Sequence, residues 1–511
     1  MNKRLALLLP LTLLIFSSCG ETSVSSSSSL DTSTSAPTSV PTSEPTSKST
    51  SEPTSVSTSE PTSVPTSEPT SVPTSAPTSG SASIPTTSYE PFSTSITHEE
   101  GPGIYYFRYD DGSHIGPTYK IESEYVFKHS FFSLPSNVFS KEFALASLGM
   151  AFVANTKTQI KQAYDALEFD DQYYPDYYSQ ETEIDKAAYS FAHKNIDGDD
   201  VIALVPRGSN YIKEWYDNFY LGREGNHVGF NLRANEIYDA FKDYLKDKDY
   251  QNIKLWVAGY SRGAALANIL AHLIMSKDEI KYKDLYAYTF ETPNGLALAN
   301  APKYENVFNV FNSGELITYL APNEMGLTRC GVEVDIYNSH LDELITYFDP
   351  EAELPKFTKG DKYQNETEYC QYIIESLMNV TFSNGHKMSR EELCDQYVNN
   401  TQYVMPLLFK LTNNQQYALL NDIMKIDNVM MKLVIGNFTD VENAIFKCFD
   451  DNGIEYDKDV LKEELDNLFL TIQKVAMPLV TEYMSHKDNL MRIIYAHDQK
   501  AVYCTLMGYV I

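Results

Sequence analysis

The chain has 511 residues, too many for one ordinary hydrophobic core, and its 24 Pro together with 25 Phe and 37 Tyr indicate that ordered and disordered parts are segregated along the chain. It carries 69 acidic and 40 basic side chains, a net charge of −29, which excludes a strongly basic nucleic-acid surface and adhesion to anionic lipid by charge. The six Cys form no C-x-x-C pair, which argues against a structural zinc site and a disulfide scaffold, although one or two disulfides are compatible with the count.

The N-terminus is typical of a targeting segment. A positive start, Met1–Arg4, precedes an apolar run at Leu5–Phe16 that is too short to span a membrane as a stable helix. Small residues then lead to Cys19, which resembles a bacterial lipoprotein processing box in which the Cys becomes diacylglycerol-modified. We therefore predict a signal peptide at 1–19 and a membrane anchor on Cys19. The alternative is an ordinary secretory signal whose Cys is incidental.

Residues 20–100 have the composition of a disordered tether. Between Ala36 and Ser79 the pattern X-Pro-Thr-Ser repeats every four residues, and no core can form from it. Frequent Pro favours polyproline II, so about 80 such residues reach on the order of 200 Å when extended. We interpret this segment as a spacer that carries the folded part away from a membrane. A specific recognition stalk is the alternative, but no residue supports one.

From residue 101 onward the composition is that of a folded domain, in which short apolar runs alternate with amphipathic helical stretches. Strand, helix, strand in repetition indicates a largely parallel sheet covered on both faces. We therefore predict one α/β unit over residues 101–511. Its predicted strands are at 200–205, 253–258, 285–290, 307–311 and 332–337, and its predicted helices are at 234–245 and 264–275.

A helical insertion or cap is predicted at about 356–487. There the sequence changes to long helical patterns rich in Leu, Met, Phe and Asn, such as Gln415–Val434. The Met and aromatic residues recur at ordinary helical spacing. That spacing is typical of a packed core rather than of a cofactor site.

The pentapeptide Gly259-Tyr260-Ser261-Arg262-Gly263 follows a predicted strand and opens a predicted helix. In that context a G-x-S-x-G pattern marks a nucleophile, because a sharp strand-to-helix turn leaves no room for Cβ atoms two residues on either side of the Ser and lifts its hydroxyl above the sheet. Ser261 is therefore the candidate nucleophile. The backbone N–H of Arg262, at the start of the helix, is a candidate oxyanion donor.

Further motifs flank this pentapeptide. They are Arg207-Gly208-Ser209 with Trp215 and Asn218, then His227-Val228-Gly229-Phe230, then Thr289-Phe290-Glu291-Thr292-Pro293-Asn294. In this order they resemble the class 3 lipase family in its bacterial secreted branch. The resemblance implies an α/β-hydrolase fold with a mostly parallel central sheet and a second oxyanion donor at Ser209. It covers roughly Ala144–Phe348 and then only the C-terminal end of the chain.

The resemblance also implies a triad acid. The segment Phe311-Asn312-Ser313-Gly314-Glu315, followed by Leu320-Ala321-Pro322, is similar to the family's acid-bearing segment, so Glu315 is expected to be that acid. This chain has Glu where the family has Asp, although Glu serves as the acid in some hydrolases of this fold. A solvated loop Glu is the alternative. Two further departures, Tyr260 for His and Arg262 for Leu, flank the Ser and bear on substrate fit more than on nucleophilicity.

The base is expected after the acid, because the chain order in this fold is Ser, acid, His, and this disfavours His227 and His272. His497, in a segment similar to the family's C-terminal His-x-x-x-x-x-Tyr, is the first candidate. His340, directly after the last predicted strand, is the alternative, and His386 and His486 also remain open. Only geometry decides, because the imidazole must lie within about 3 Å of the Ser hydroxyl.

The expected activity is cleavage of carboxylic esters, on acylglycerol-like lipids, by a Ser-His-Glu triad and an acyl-enzyme. No metal or organic cofactor and no nucleic-acid partner is implied. The lipidated chain is expected on the extracellular face of a bacterial cell membrane. The alternative is a catalytically inactive, surface-displayed binding protein on the same scaffold, with the cap and the aromatic segment Tyr173–Tyr178 as its contact surface.

Overall fold

The computed structural model describes the folded part of the chain in the ranges 101–109, 123–179, 186–210, 212–350, 352, 354–382 and 385–509. These ranges belong to one compact unit. The predicted signal peptide, Cys19 and the 20–100 tether lie outside the described residues and stay predictions. Among the described helices, none is long and apolar enough to cross a membrane, and the Cys in the described ranges are free thiols.

The described strands build one large sheet and two small ones. In chain order they are β1 (Ile104–Tyr109), β2 (Ser123–Lys128), β3 (Asp170–Tyr173), β4 (Tyr189–Ile196), β5 (Asp199–Pro206), β6 (Lys254–Tyr260), β7 (Leu285–Phe290), β8 (Leu296–Ala297), β9 (Val307–Phe311), β10 (Leu327–Thr328) and β11 (Val332–Asp335). The large sheet has the order β11-β9-β7-β6-β5-β4-β3. From β5 to β11 its strands run parallel, while β4 and β3 extend one edge antiparallel.

Helices cover both faces of this sheet. Successive residues of a strand point to opposite faces, so the apolar side chains of the parallel strands need a covering layer on each face. In chain order the helices of this part are α1 (Lys141–Val153), α2 (Lys157–Ala166), α3 (Trp215–Phe219), α4 (Val228–Leu245), α5 (Arg262–Ser276) and α6 (Leu341–Phe348). On one face, Leu255 and Val257 of β6 share a buried cluster with residues of α4 and α5. On the other face, Trp256 donates its indole N–H to Ser147 of α1 at 2.8 Å.

This architecture confirms the predicted α/β-hydrolase fold. The strands predicted at 200–205, 253–258, 285–290 and 307–311 agree with β5, β6, β7 and β9 to within one or two residues, and the strand predicted at 332–337 ends at Asp335. The sequence analysis missed the antiparallel edge. β4 carries Lys194 and Asn195 among its apolar residues, and these polar side chains concealed its strand pattern.

A helical part follows α6 and has its own apolar core. Its helices are α7 (Glu366–Met378), α8 (Arg390–Asn399), α9 (Val404–Leu408), α10 (Asn413–Met424), α11 (Val429–Val434), α12 (Thr439–Asp451) and α13 (Lys458–Tyr495), and the chain then forms α14 (Gln499–Gly508). The helix predicted over 415–434 is broken, because Asn428 has φ +55° between α10 and α11. α13 continues through residue 487, the predicted end of the insertion, with non-helical angles at His486.

Candidate active site

Ser261 lies in the turn between β6 and α5, with backbone angles φ +56° and ψ −126°. A positive φ is strained for a residue with a Cβ atom, and such strain is concentrated at functional sites. The turn is tight, because a Cβ atom at Gly259 would lie 2.4 Å from the carbonyl oxygen of Gly263. The spacing of the two glycines in the sequence is therefore a steric requirement of this turn.

The same turn packs against the loop that follows β5. A Cβ atom at Gly263 would lie 2.6 Å from the carbonyl oxygen of Pro206, so the start of α5 and this loop are in direct contact. Ser209, in the loop, is buried, and its hydroxyl accepts a hydrogen bond from Asn218 Nδ2 at 3.1 Å. The backbone N–H of Arg262, the first residue of α5, has no acceptor within the helix and lies at the positive end of its dipole. The two predicted oxyanion donors thus come from adjacent loops.

His497 connects α13 to α14, and its ring lies beside the Ser261 turn. Its Nε2 is 3.0 Å from Ser261 Oγ, although the two residues are 236 positions apart in the sequence. Tyr260 donates its hydroxyl to the His497 carbonyl and stacks on the imidazole, with 5.1 Å between the ring centroids. The sequence analysis connected Tyr260 with substrate fit; in the structure it contacts the candidate base.

Glu315 lies in the loop after β9 and is completely buried. Its Oε2 is 3.2 Å from His497 Nδ1, close enough for an ion pair but without the alignment of a hydrogen bond. The backbone N–H groups of Ile317 and Thr318 donate to its two carboxylate oxygens, each at 2.8 Å. Backbone hydrogen bonds also hold the loop, since Leu316 N donates to the carbonyl of Ile493 in α13 at 3.1 Å. The carboxylate is therefore fixed behind the imidazole.

A second buried carboxyl, Glu291, was missed as a site residue by the sequence analysis. It directly follows β7, has φ +47° and is 0% exposed. Burial, and next the charge of Glu315, raise the pKa of Glu291 well above its usual range. The sequence contained one signal for it, namely a long charged side chain inside the Thr289–Asn294 motif, directly after a largely apolar strand.

Buried charges surround the Arg262 side chain. Asp217 of α3 lies 3.2 Å from Arg262 and 3.0 Å from Arg233, and Glu214 pairs with Arg207 at 2.5 Å. Desolvation outweighs the two arginines and raises the pKa of Asp217 to about 6. This network connects α3 to the turn that carries Ser261.

The other candidate histidines lie elsewhere. His340 is half exposed at the start of α6, and its Nδ1 contacts Glu343. His227 caps α4 and stacks on Phe230, and burial lowers its pKa to about 3. The structure therefore brings His497, and not His340, to Ser261.

Part of the chain is similar to known proteins. Residues 203–325, about a quarter of the chain, match the model of the family described as Lipase (class 3). The protein is a lipase-like carboxylic ester hydrolase. Solved structures show a weaker likeness, among them a Rhizomucor miehei triacylglyceride lipase (19% identity, 39% of this chain and 82% of that chain, TM-score 0.30) and a lipase from Rhizopus microsporus var. chinensis (17% identity, 39% and 75%, TM-score 0.31). No curated protein matches the chain.

The groups available to this hydrolase at the candidate site are a hydroxyl, an imidazole, a carboxylate and two loops with backbone donors. Together they can move one proton and stabilise one developing negative charge, which is what acyl transfer needs. In the described ranges, His, Cys, Asp and Glu form no group of three or more that could hold a metal ion.

Proposed function

We propose that this hydrolase cleaves esters of acylglycerol-like lipids through a Ser261-His497-Glu315 triad and an acyl-enzyme. The observation that carries the proposal is the 3.0 Å distance between His497 Nε2 and Ser261 Oγ at a strained strand-to-helix turn. A nucleophile within hydrogen-bond reach of a base, with a carboxylate behind that base, is the arrangement that activates a hydroxyl. The class 3 lipase match supports a lipid ester as the substrate class.

In the first half-reaction, Ser261 Oγ attacks the ester carbonyl while His497 Nε2 takes its proton. Glu315, 3.2 Å from Nδ1, stabilises the positive charge that forms on the imidazole. The N–H groups of Arg262 and Ser209 stabilise the oxyanion. His497 then protonates the leaving alkoxide as the C–O bond breaks. In the second half-reaction His497 deprotonates a water molecule, which attacks the acyl-enzyme carbonyl. The bond between the acyl carbon and Ser261 Oγ then breaks, Oγ takes the proton back from His497, and the acid is released.

We infer that substrate access involves a movement, because Ser261 is only 8% exposed. We infer that the 212–226 segment moves, since its Asp217 pairs with Arg262 and its Asn218 bonds Ser209. The aromatic rings of Tyr216 and Phe219 in this segment contact Tyr397 of α8, at centroid distances of 5.8 and 6.1 Å. Displacement of the segment would expose aromatic surface beside the nucleophile, which suits an acyl chain.

We further propose that Cys19 carries the lipid anchor and that residues 20–100 space the catalytic part from the extracellular face of a bacterial cell membrane. The support is the sequence pattern alone, a short apolar run that ends at a Cys and a Pro-rich repeat after it. Mass spectrometry of the membrane fraction tests this proposal. An unmodified Cys19 at the mature N-terminus, or recovery of the protein from the medium instead of the membrane fraction, would contradict it.

The triad assignment predicts how the kcat values of three variants compare. Ser261→Ala is expected to lower kcat for a short p-nitrophenyl ester by about 10⁴-fold or more. His497→Ala is expected to lower it by a similar factor, because nucleophile and base act as a unit. His340→Ala, the matched control, changes a half-exposed ring bonded to Glu343 and is expected to retain activity.

Two measurements check this order, the kcat of each purified variant and labelling by a serine-reactive fluorophosphonate probe. The wild type is expected to be labelled at Ser261. Unchanged turnover in Ser261→Ala, or equal activity of the two His variants, would falsify the assignment.

The alternative of an inactive binding protein has less support. Its proposed contact surface includes Tyr178, which is completely buried and donates its hydroxyl to the carbonyl of Ala154 at 2.6 Å. Tyr173 in the same segment is 40% exposed, but it stacks on Phe191 of β4. These rings therefore serve largely to pack the sheet edge, and the segment offers little free aromatic surface to a partner.

A further inference from the structure

We propose that Glu291 is a positioning residue for the triad, whose protonated carboxyl donates a hydrogen bond to the Glu315 carboxylate and keeps it directed at His497. The inference rests on the proposed function, because it takes Glu315 as the acid that supports the base. It assigns a task to a residue that otherwise belongs only to the turn after β7.

The two carboxyl groups come from neighbouring strands. Glu291 directly follows β7 and Glu315 lies in the loop after β9, which pairs with β7 in the sheet. Asn312 connects them: its N–H donates to both Glu291 oxygens, at 3.2 and 3.1 Å, and its carbonyl accepts from Glu315 N at 3.0 Å. Both side chains are 0% exposed, and the Glu315 carboxyl, through its charge and a side-chain hydrogen bond, is among the causes that raise the pKa of Glu291.

Two adjacent carboxylates cannot both keep a full charge without water around them. The proton belongs on Glu291, because Glu315 accepts from two backbone amides, those of Ile317 and Thr318, and faces the imidazole of His497. Glu291 accepts from the single amide of Asn312. Burial first, and the Glu315 charge second, raise the pKa of Glu291 accordingly.

The other charged groups around Glu291 and Glu315 do not change the assignment of the proton to Glu291. Asp335, the last residue of β11, is a further negative charge that adds to the rise in the pKa of Glu291. Arg329 approaches from the β10 side, but its guanidinium donates to the carbonyls of Thr292 and Thr318, at 2.6 and 3.3 Å, and to the exposed Glu333. With one proton on the pair, a single negative charge faces the single positive charge that forms on His497.

The backbone supports the same assignment. A non-glycine residue at φ +47° is strained, and such strain persists only where the surrounding structure fixes the residue. Here the side chain is placed against Glu315 and anchored by Asn312. A Glu triad acid also has one more rotatable bond than an Asp, so an additional donor restricts the orientation of Glu315.

The experiment compares two substitutions in the full-length protein. Glu291→Gln keeps the volume and a donor but cannot ionise, whereas Glu291→Ala removes the donor. At pH 7 we expect Glu291→Gln to keep kcat for p-nitrophenyl butyrate within about threefold of the wild type. We expect Glu291→Ala to lower kcat by about 10- to 100-fold, with KM changed by less than about threefold.

The pH profile separates this role from simple packing. In the wild type, kcat is expected to fall on the alkaline side as Glu291 ionises, loses its donor and repels Glu315. In Glu291→Gln this fall is expected to be absent. Identical alkaline limbs in the two proteins overturn the proposal, and this comparison does not depend on the Ala variant being folded.

Two further results also overturn the proposal: full kcat in Glu291→Ala, or an equal loss of kcat in both variants when their thermal unfolding matches the wild type. Failure of the proposed function itself is distinguishable. In that case the wild type would neither hydrolyse the ester nor react at Ser261 with the fluorophosphonate probe.

Discussion

Tyr260 connects the nucleophile turn to the base. It is the last residue of β6, so its position is fixed by the sheet, and it contacts His497 twice: through its hydroxyl to the backbone carbonyl and through its ring to the imidazole. A base that arrives from a distant helix junction has few local constraints of its own. The contacts of Tyr260 therefore supply part of the preorganisation that a Ser-His pair needs.

These contacts can be separated by substitution. Tyr260→Phe keeps the stacked ring and removes the hydroxyl. We expect the free energy of unfolding to fall by about 1 kcal/mol and kcat to fall roughly two- to tenfold. Tyr260→Ala, the control, also removes a buried ring, so its free energy of unfolding is expected to fall by about 3–5 kcal/mol.

Chemical denaturation and ester hydrolysis measure these two effects. Wild-type stability and wild-type kcat in Tyr260→Phe would show that the hydroxyl contributes neither to the fold nor to the position of the base.

At the scale of elements, the helical part holds the 212–226 segment against the catalytic part. Arg390, the first residue of α8, donates to five backbone carbonyls of this segment at 2.7–3.0 Å, those of Leu221, Gly222, Glu224, Gly225 and Asn226. Arg223 in turn pairs with Asp395 of α8 at 2.6 Å. One end of the segment is thus fixed to the insertion, while α3 at the other end is held by Asp217.

The pKa of Asp217 gives this second attachment a pH dependence. The buried carboxyl has a pKa of about 6, above its ordinary value near 4, so the packed segment binds the proton more tightly than a displaced segment does. Ionisation between about pH 4 and pH 6 therefore lowers the stability of the packed segment, by up to about 3 kcal/mol if displacement returns Asp217 to water.

Hydrogen exchange measures this effect. Protection of the amides in residues 212–220, corrected for intrinsic exchange, is expected to fall as pH rises from 4 to 7. In Asp217→Asn, which cannot ionise, the protection is expected to be independent of pH over this range. A protection that rises with pH in the wild type would reverse the sign and contradict the inference.

On the scale of the whole molecule, α13 connects the helical core to the catalytic residues. It contributes Leu465 and Leu479 to the helical core, and its end leads within two residues to His497. Arg492, near that end, is 4% exposed and pairs with Glu366 of α7 at 2.5 Å and with Asp342 of α6 at 2.7 Å. The position of the base therefore depends on packing in both parts.

Arg492→Ala is expected to lower the free energy of unfolding by about 2–4 kcal/mol, because it leaves the largely buried Glu366 carboxylate without its partner. We also expect a lower kcat, since the end of α13 is released close to His497. Asp342→Ala is the matched control. Its carboxylate is half exposed, so we expect the free energy of unfolding to fall by at most about 1 kcal/mol and kcat to stay unchanged.

Thermal unfolding and ester hydrolysis check both variants. If Arg492→Ala unfolds at a lower temperature but keeps its kcat, the helix end is not what positions His497.

The amino-acid sequence by itself determined the features that depend on short-range sterics and periodicity. Gly259 and Gly263 mark the nucleophile turn because no Cβ fits there, and apolar runs of the right length mark the parallel strands. Where polar residues interrupt a run, as at Lys194 in β4, the same reasoning failed, because pairing on both sides rather than composition stabilises that strand.

Only the tertiary structure decided which side chains meet. His497 reaches Ser261 across 236 positions of sequence, and Glu291 meets Glu315 because β7 and β9 are neighbours in the sheet. Neither contact has a local signal, since each depends on helix packing and strand order rather than on the residues beside it. The sequence offered four histidines for one role, and the junction between α13 and α14 brings His497 to the hydroxyl.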